Sequence, residues 1–178
     1  MCGIAGRIVA SGTLLGRNLV ELMEAQEHRG ADSTGFAIYG PMRDDGYVLR
    51  GMGFDKKTID ADLSDFQNIL RDHGSDFLND PKVISDESAH YCFRMEIKDP
   101  KDIAAWVGDA DTLTDRIEVQ SCGRSLEIIK DIGGAAAVAD KHGVRDMIGT
   151  HGLGHARLAT ESSCLLYTSD AADEWRSV

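Results

Sequence analysis

A cysteine stands at position 2, directly behind the initiator methionine. A small second residue permits removal of that methionine. The chain then begins with a cysteine that carries both a thiol and a free α-amine. An α-amine has a pKa of about 7.7–8.0 and is partly neutral near pH 7. It can act as general base for its own side chain, directly or through one water. The resulting thiolate is a competent nucleophile toward a carboxamide. Two further segments carry chemistry. Arg29-Gly30-Ala31-Asp32-Ser33-Thr34-Gly35 combines a glycine-framed turn with the planar donor fork of Arg29. Gly149-Thr150-His151-Gly152-Leu153-Gly154-His155-Ala156-Arg157 leads through glycines to Arg157, which can clamp a carboxylate with two parallel hydrogen bonds. Each segment taken alone also fits a plain structural role, as a buried Cys2 or a polar loop. His151 and His155 lack an evident third metal ligand, and the glycines are not followed by the Lys-Ser/Thr of a phosphate loop. Neither a metal site nor a phosphate cradle is expected from these residues.

The elements that must position these residues can be read from periodicity. Ile4 and Ile8 alternate with glycines and predict a buried strand that begins at the terminus. Leu15, Leu19, Leu22, Met23 and Gln26 form one helical stripe. A turn at 28–35 follows. FAIYG is then a strand, with YVLRG as its hairpin partner across Pro41–Gly46. Ile59, Leu63, Phe66, Ile69 and Leu70 mark a second helix. Tyr91, Phe93, Met95 and Ile97 alternate strictly, as in a half-buried strand. Asp99 is expected to cap a helix that has Pro100 in its first turn and runs through Trp106. IEVQS reads as a strand, RSLEIIKDI and AAAVADKH as short helices, and GHARLAT as a strand after a glycine-rich turn. The βαβ rhythm of a parallel sheet is absent, so the expected class is α+β.

Composition narrows the function classes. The 178 residues carry 19 basic and 30 acidic side chains, a net charge of −11. Such a balance repels nucleic acid and anionic lipid. No apolar run approaches the ~20 residues of a membrane span, and the first 30 residues hold no secretory h-region. The four cysteines form no C-x-x-C pair and read as reduced thiols. The expectation is a cytoplasmic protein with no membrane or nucleic-acid partner.

Taken together, Met-Cys-Gly-Ile-Ala-Gly, a helix, Arg-Gly-x-Asp-Ser-x-Gly and Gly-His-x-Arg-x-Ala-Thr resemble the class II glutamine amidotransferases, which are N-terminal-nucleophile (Ntn) hydrolases. The nearest likeness is to glutamate-synthase-related amidotransferase domains, among them the amidotransferase-like subunit of methylamine–glutamate N-methyltransferase. Ser121–Ile128, Gly149–Gly152 and Ala159–Ser162 carry that part of the likeness. It covers about residues 2–163. The resemblance implies a four-layer αββα sandwich of antiparallel sheets. It implies that Cys2 is the nucleophile, that Arg29 and Gly30 support its terminus, and that Arg157 holds the α-carboxylate of glutamine. Glutamine would be hydrolysed through a thioester, with ammonia passed to a synthase or methyltransferase subunit and no cofactor for the glutaminase half.

The chain departs from that pattern in two respects. An Asn-Gly pair that builds the oxyanion hole, and a later Asp that receives the α-ammonium, are not found, and no Asn follows Asn79. Residues 164–178 resemble a translated sequencing-adapter read and are taken as a non-native tail, with the family domain incomplete at its C-terminus. The chain as written is then expected to be inactive, with a bare edge on the GHARLAT strand. The alternatives are a non-catalytic, amidotransferase-like interaction subunit and another Ntn amidohydrolase.

Overall fold

The structure is a computed structural model that describes residues 2–113 and 115–158. The tail at 164–178 and the Ala159–Ser162 stretch lie outside the described residues. In chain order the elements are β1 (Gly3–Thr13), α1 (Leu15–Glu24), β2 (Ser33–Tyr39), β3 (Tyr47–Gly53), α2 (Ile59–Asp72), β4 (Lys82–Ser85), β5 (Tyr91–Ile97), α3 (Ile103–Ala110), β6 (Ile117–Gly123), β7 (Leu126–Ile132), α4 (Ala135–His142) and β8 (Gly149–Arg157). The class is α+β, with two antiparallel sheets and four α-helices among the described residues. The chain divides into two compact units. One comprises Met1–Pro41 and the chain from Ile128 onward; the other is Met42–Glu127. No described helix is long and apolar enough to cross a membrane.

The sheet of the first unit runs β1-β8-β2-β7. Its core joins Leu15, Leu19, Val20 and Met23 of α1 to Phe36 and Ile38 of β2, Ile129 of β7 and Val138 of α4. These α1 residues recur at helical spacing and form one buried face. The glycines before Arg157 belong to β8 rather than to a turn, because α1 lies close against them. A Cβ on Gly152 would come within 2.8 Å of Leu19, and one on Gly154 within 2.5 Å of Met23. β8 pairs with β1 on one side and β2 on the other, so the expected bare edge is absent.

Two further expectations fail in this unit. β1 is an edge strand, and Ile4 and Ile8 are 64% and 84% exposed rather than buried. Ala5 and Val9, on the alternate face, pack against the core instead. RSLEIIKDI is not a helix, since its Leu126–Ile132 part forms β7. Paired β-branched residues at Ile128 and Ile129 favour an extended chain, and a sheet neighbour decides the outcome. α4 ends as expected at Gly143, whose φ of 67° closes the helix in the left-handed region.

The second unit orders its strands β4-β5-β3-β6. Tyr91, Phe93, Met95 and Ile97 of β5 pack on Phe66 and Leu70 of α2 and on Trp106 of α3. Phe66 and Trp106 meet edge-on, with centroids 5.9 Å apart. The expected β2–β3 hairpin does not form. β3 pairs with β5 and β6, and the Asp45–Gly46 turn serves its start: Gly46 has φ 64° and donates its N–H to Asp99 Oδ1 at 3.1 Å. Asp99 is thereby occupied and does not cap a helix. Asp102 caps α3, accepting from Ala104 N and Ala105 N at 2.9 and 3.0 Å. Such a cap contributes about 1 kcal/mol.

Candidate active site

The site is assembled by strand register in the first unit. β1 and β8 align Gly3 with Ala156 and Ile4 with His155. β8 and β2 align His155 with Gly35 and Arg157 with Ser33. Opposed residues in an antiparallel pair share a face, and side chains alternate between faces. Cys2 directly precedes Gly3, and extending the register by one residue sets it opposite Arg157, on the face of Ile4, His155 and Gly35. Residues from the two ends of the described chain are therefore brought together.

Arg29 and Gly30 lie against this same end of the sheet. A Cβ on Gly3 would sit 2.9 Å from Gln26 Oε1 and 3.4 Å from Arg29 Cβ. Gln26 Nε2 also donates to Ile4 O at 3.5 Å. The segment after α1 thus packs along the start of β1. Gly30 has an extended φ of 168°, so its requirement is space rather than backbone conformation. Its Cβ would lie 2.5 Å from the carbonyl carbon of Arg157. Two residues on, Asp32 N–H donates to Arg157 O at 3.1 Å. Gly133 N–H donates to Asp32 O at 3.0 Å, and Thr34 Oγ1 donates to Gly133 O at 2.8 Å. The loop at 29–32 and the start of β2 are therefore fastened both to the end of β8 and to the turn after β7.

The thiols differ in accessibility. Cys2 is exposed, Cys92 is buried and Cys122 is half-buried. Burial pushes the Cys122 thiol up to about 12, which leaves it protonated and unreactive near neutrality. Cys2 is thus the exposed thiol among the described cysteines. His155 is held below the ordinary histidine range, first by burial and then by the charge of Arg157. Its imidazole is neutral at pH 7 and offers one donor and one acceptor. Sequence reasoning weighed His155 only as half of a metal pair with His151. In a strand, four residues span about 13 Å, so the two rings do not converge on one ion. What the sequence reading missed is that His155 shares a face with Cys2. The alternation of β8 carries that signal once its glycines are read as strand.

No protein-family model matches the chain. It is 33% identical over 168 residues to a candidate glutamine amidotransferase of Methanothermobacter thermautotrophicus (strain Delta H), an alignment that covers 91% of this chain and 53% of the relative. It is 30% identical over 171 residues to the glutamine amidotransferase-like protein GlxB of Rhizobium meliloti (strain 1021), covering 92% and 52%. These likenesses support a glutamine amidotransferase-like family. The chain spans about half the length of these curated relatives. In the amidotransferase-like frame, the four residues singled out from sequence (Cys2, Arg29, Gly30 and Arg157) fall at one end of one sheet.

Proposed function

We propose that the chain is the glutaminase part of a class II, Ntn-type glutamine amidotransferase of the glutamate-synthase-related group. The register that sets Cys2 opposite Arg157 on one sheet face is the observation that carries the reading, and the names of the relatives support it. Arg157 takes the α-carboxylate of glutamine. The α-amine of Cys2, freed by loss of Met1, accepts the thiol proton as sulfur attacks the side-chain carboxamide. The tetrahedral intermediate collapses to a thioester, and the α-ammonium returns its proton to the departing ammonia. Water, deprotonated by the same amine, then hydrolyses the thioester to glutamate. Arg29 and Gly30 hold the ends of β1 and β8 in place. The reading brings with it a four-layer αββα sandwich, a cytoplasmic location, and a synthase or methyltransferase subunit that receives the ammonia.

A second reading is an amidotransferase-like interaction subunit without catalysis. Oxyanion donors are worth about 2.7–4 kcal/mol each, so a full-length protein that lacks an Asn-Gly pair would support it. The two readings separate on the full-length protein. Intact mass should show a chain that begins at Cys2, and ammonia release from glutamine should fall on the order of 10³-fold or more in Cys2→Ser. Retention of Met1, or near-wild-type turnover in Cys2→Ser, overturns the glutaminase mechanism. A mature N-terminal cysteine without any glutamine turnover supports the interaction subunit.

A further inference from the structure

The glycines of the first sheet are not equivalent. Among those of β1, β2 and β8 whose surroundings are described, Gly3, Gly6, Gly149, Gly152 and Gly154 each have a neighbour that a Cβ would meet at 2.9 Å or less. Backbone oxygens or the buried Met23 side chain account for Gly149, Gly152 and Gly154, while the ends of the Gln26 and Leu153 side chains stand over Gly3 and Gly6. Gly35 differs. A Cβ there would meet only Ile129 O at 3.5 Å and Lys130 Cγ at 3.8 Å, ordinary van der Waals separations, and its φ is not positive. Neither packing nor backbone geometry within this unit requires a glycine at 35. Gly35 itself lies directly beside His155, its partner in the β2–β8 register, and one row along the strands from Arg157.

We propose that Gly35 and His155 form the slot that receives and reads the substrate's carboxamide, Gly35 by leaving the room and His155 by supplying one donor and one acceptor. The inference rests on the glutaminase reading and adds specificity residues to it. A primary carboxamide presents a carbonyl acceptor and an N–H donor, the complement of a neutral imidazole. A carboxylate presents acceptors alone. A neutral imidazole at 155 therefore favours the amide substrate over its acid product, since the imidazole acceptor faces a donor in one and an anionic oxygen in the other. The half-buried position of His155 reduces competition from water and sharpens that preference. A methyl group at 35 would fit the fold while occupying the space that the carboxamide needs.

The test uses the full-length protein and measures KM for glutamine, inhibition by glutamate, thermal melting, and alkylation of Cys2 by iodoacetamide, a probe small enough to need no slot. Gly35→Ala should keep the melting temperature and the alkylation rate, and raise KM for glutamine on the order of 10-fold. His155→Phe should raise KM by a similar factor and narrow the preference for glutamine over glutamate, with His155→Gln recovering part of both. Unchanged KM and unchanged glutamine-to-glutamate preference in Gly35→Ala and His155→Phe overturn the slot while leaving the glutaminase reading standing. A wild-type protein that neither hydrolyses nor binds glutamine overturns the reading, and the slot with it. Should His155→Phe fail to fold, Gly35→Ala alone decides.

Discussion

In the unit of residues 42–127, Arg50 and Arg94 stand opposite each other on β3 and β5. Like charges so placed repel, and Glu127 offsets that repulsion. Its carboxylate accepts from Arg50 Nε at 2.6 Å and from Arg94 Nε and Nη2 at 3.0 and 3.1 Å. Burial alone would raise the Glu127 carboxyl, but the Arg94 hydrogen bonds and the charges of both arginines hold it below the usual range. Burial lowers Arg50, and Glu127 works against that. The rings of Phe93 and Tyr91 fill the space over Gly51 and Gly53. On the β1-β8-β2 face of the other unit, a thiol is exposed, an imidazole is half-buried and neutral, and a Cβ at Gly35 would meet its neighbours only at ordinary van der Waals separations. The second unit pairs its strand arginines and covers its strand glycines with aromatic rings. The first unit also pairs buried charges, Asp131 with Lys141 and His142, but keeps a thiol accessible beside a half-buried imidazole.

That contrast predicts where mutations act. The largest effect belongs to Glu127→Ala. It leaves the Arg50 guanidinium buried beside Arg94 with its carboxylate removed, and should cost about 3–5 kcal/mol of folding stability in urea titrations. A loss below ~1 kcal/mol, the range of exposed pairs, would show that the arginines find other partners and would break the comparison. Next is Arg157→Lys, which should leave melting nearly unchanged. An ammonium cannot reproduce the bidentate fork. With ~1.5–3 kcal/mol for a charged hydrogen bond, kcat/KM for glutamine should fall about 10- to 150-fold. An unchanged kcat/KM would assign Arg157 to structure, like the arginines of the other unit.

The sequence made the elements whose period is self-contained legible. The apolar stripe of α2, the alternation of β5 and the Gly143 stop of α4 are local patterns, and each is found as read. The failures all turn on partners distant in sequence. Leu126, Ile129 and Ile132 recur every three residues and imitate a helix, and only a sheet neighbour makes the segment β7. Asp99 looks like a helix cap until Gly46, far back in the chain, takes its carboxylate. At the candidate site, residue types and the family resemblance singled out Cys2, Arg29, Gly30 and Arg157. The placement of His155 and Gly35 beside one another follows from register, which no local pattern encodes.

The smallest predicted effect is in pH dependence. His155 titrates lower when folded than unfolded, so between its lowered pKa and about 6.5 the unfolded chain binds more protons and stability falls with falling pH. Its contribution is present above that window and is lost as pH drops through the lowered value. Glu127 is also lowered, but from an ordinary value of about 4.3, so its contribution survives until more acidic conditions. Hydrogen exchange followed from pH 7.5 to pH 3 should show the first unit loosening at milder acidity than the second. His155→Asn should remove that early component. Simultaneous loosening in both variants would erase the distinction.

The pairing of Gly3 with Ala156 has a consequence for when reactivity arises during biosynthesis. The N-terminal residue leaves the ribosome first, yet the strand that seats it is made more than a hundred and fifty residues later. At roughly 5–20 residues per second of synthesis, the nascent chain carries an unseated cysteine for on the order of 10 s or more. The proposed mechanism requires methionine removal, and that interval leaves the terminus unfolded and accessible to it. β1 cannot pair with β8 until β8 has emerged, so the pairing that closes this end of the sheet forms late.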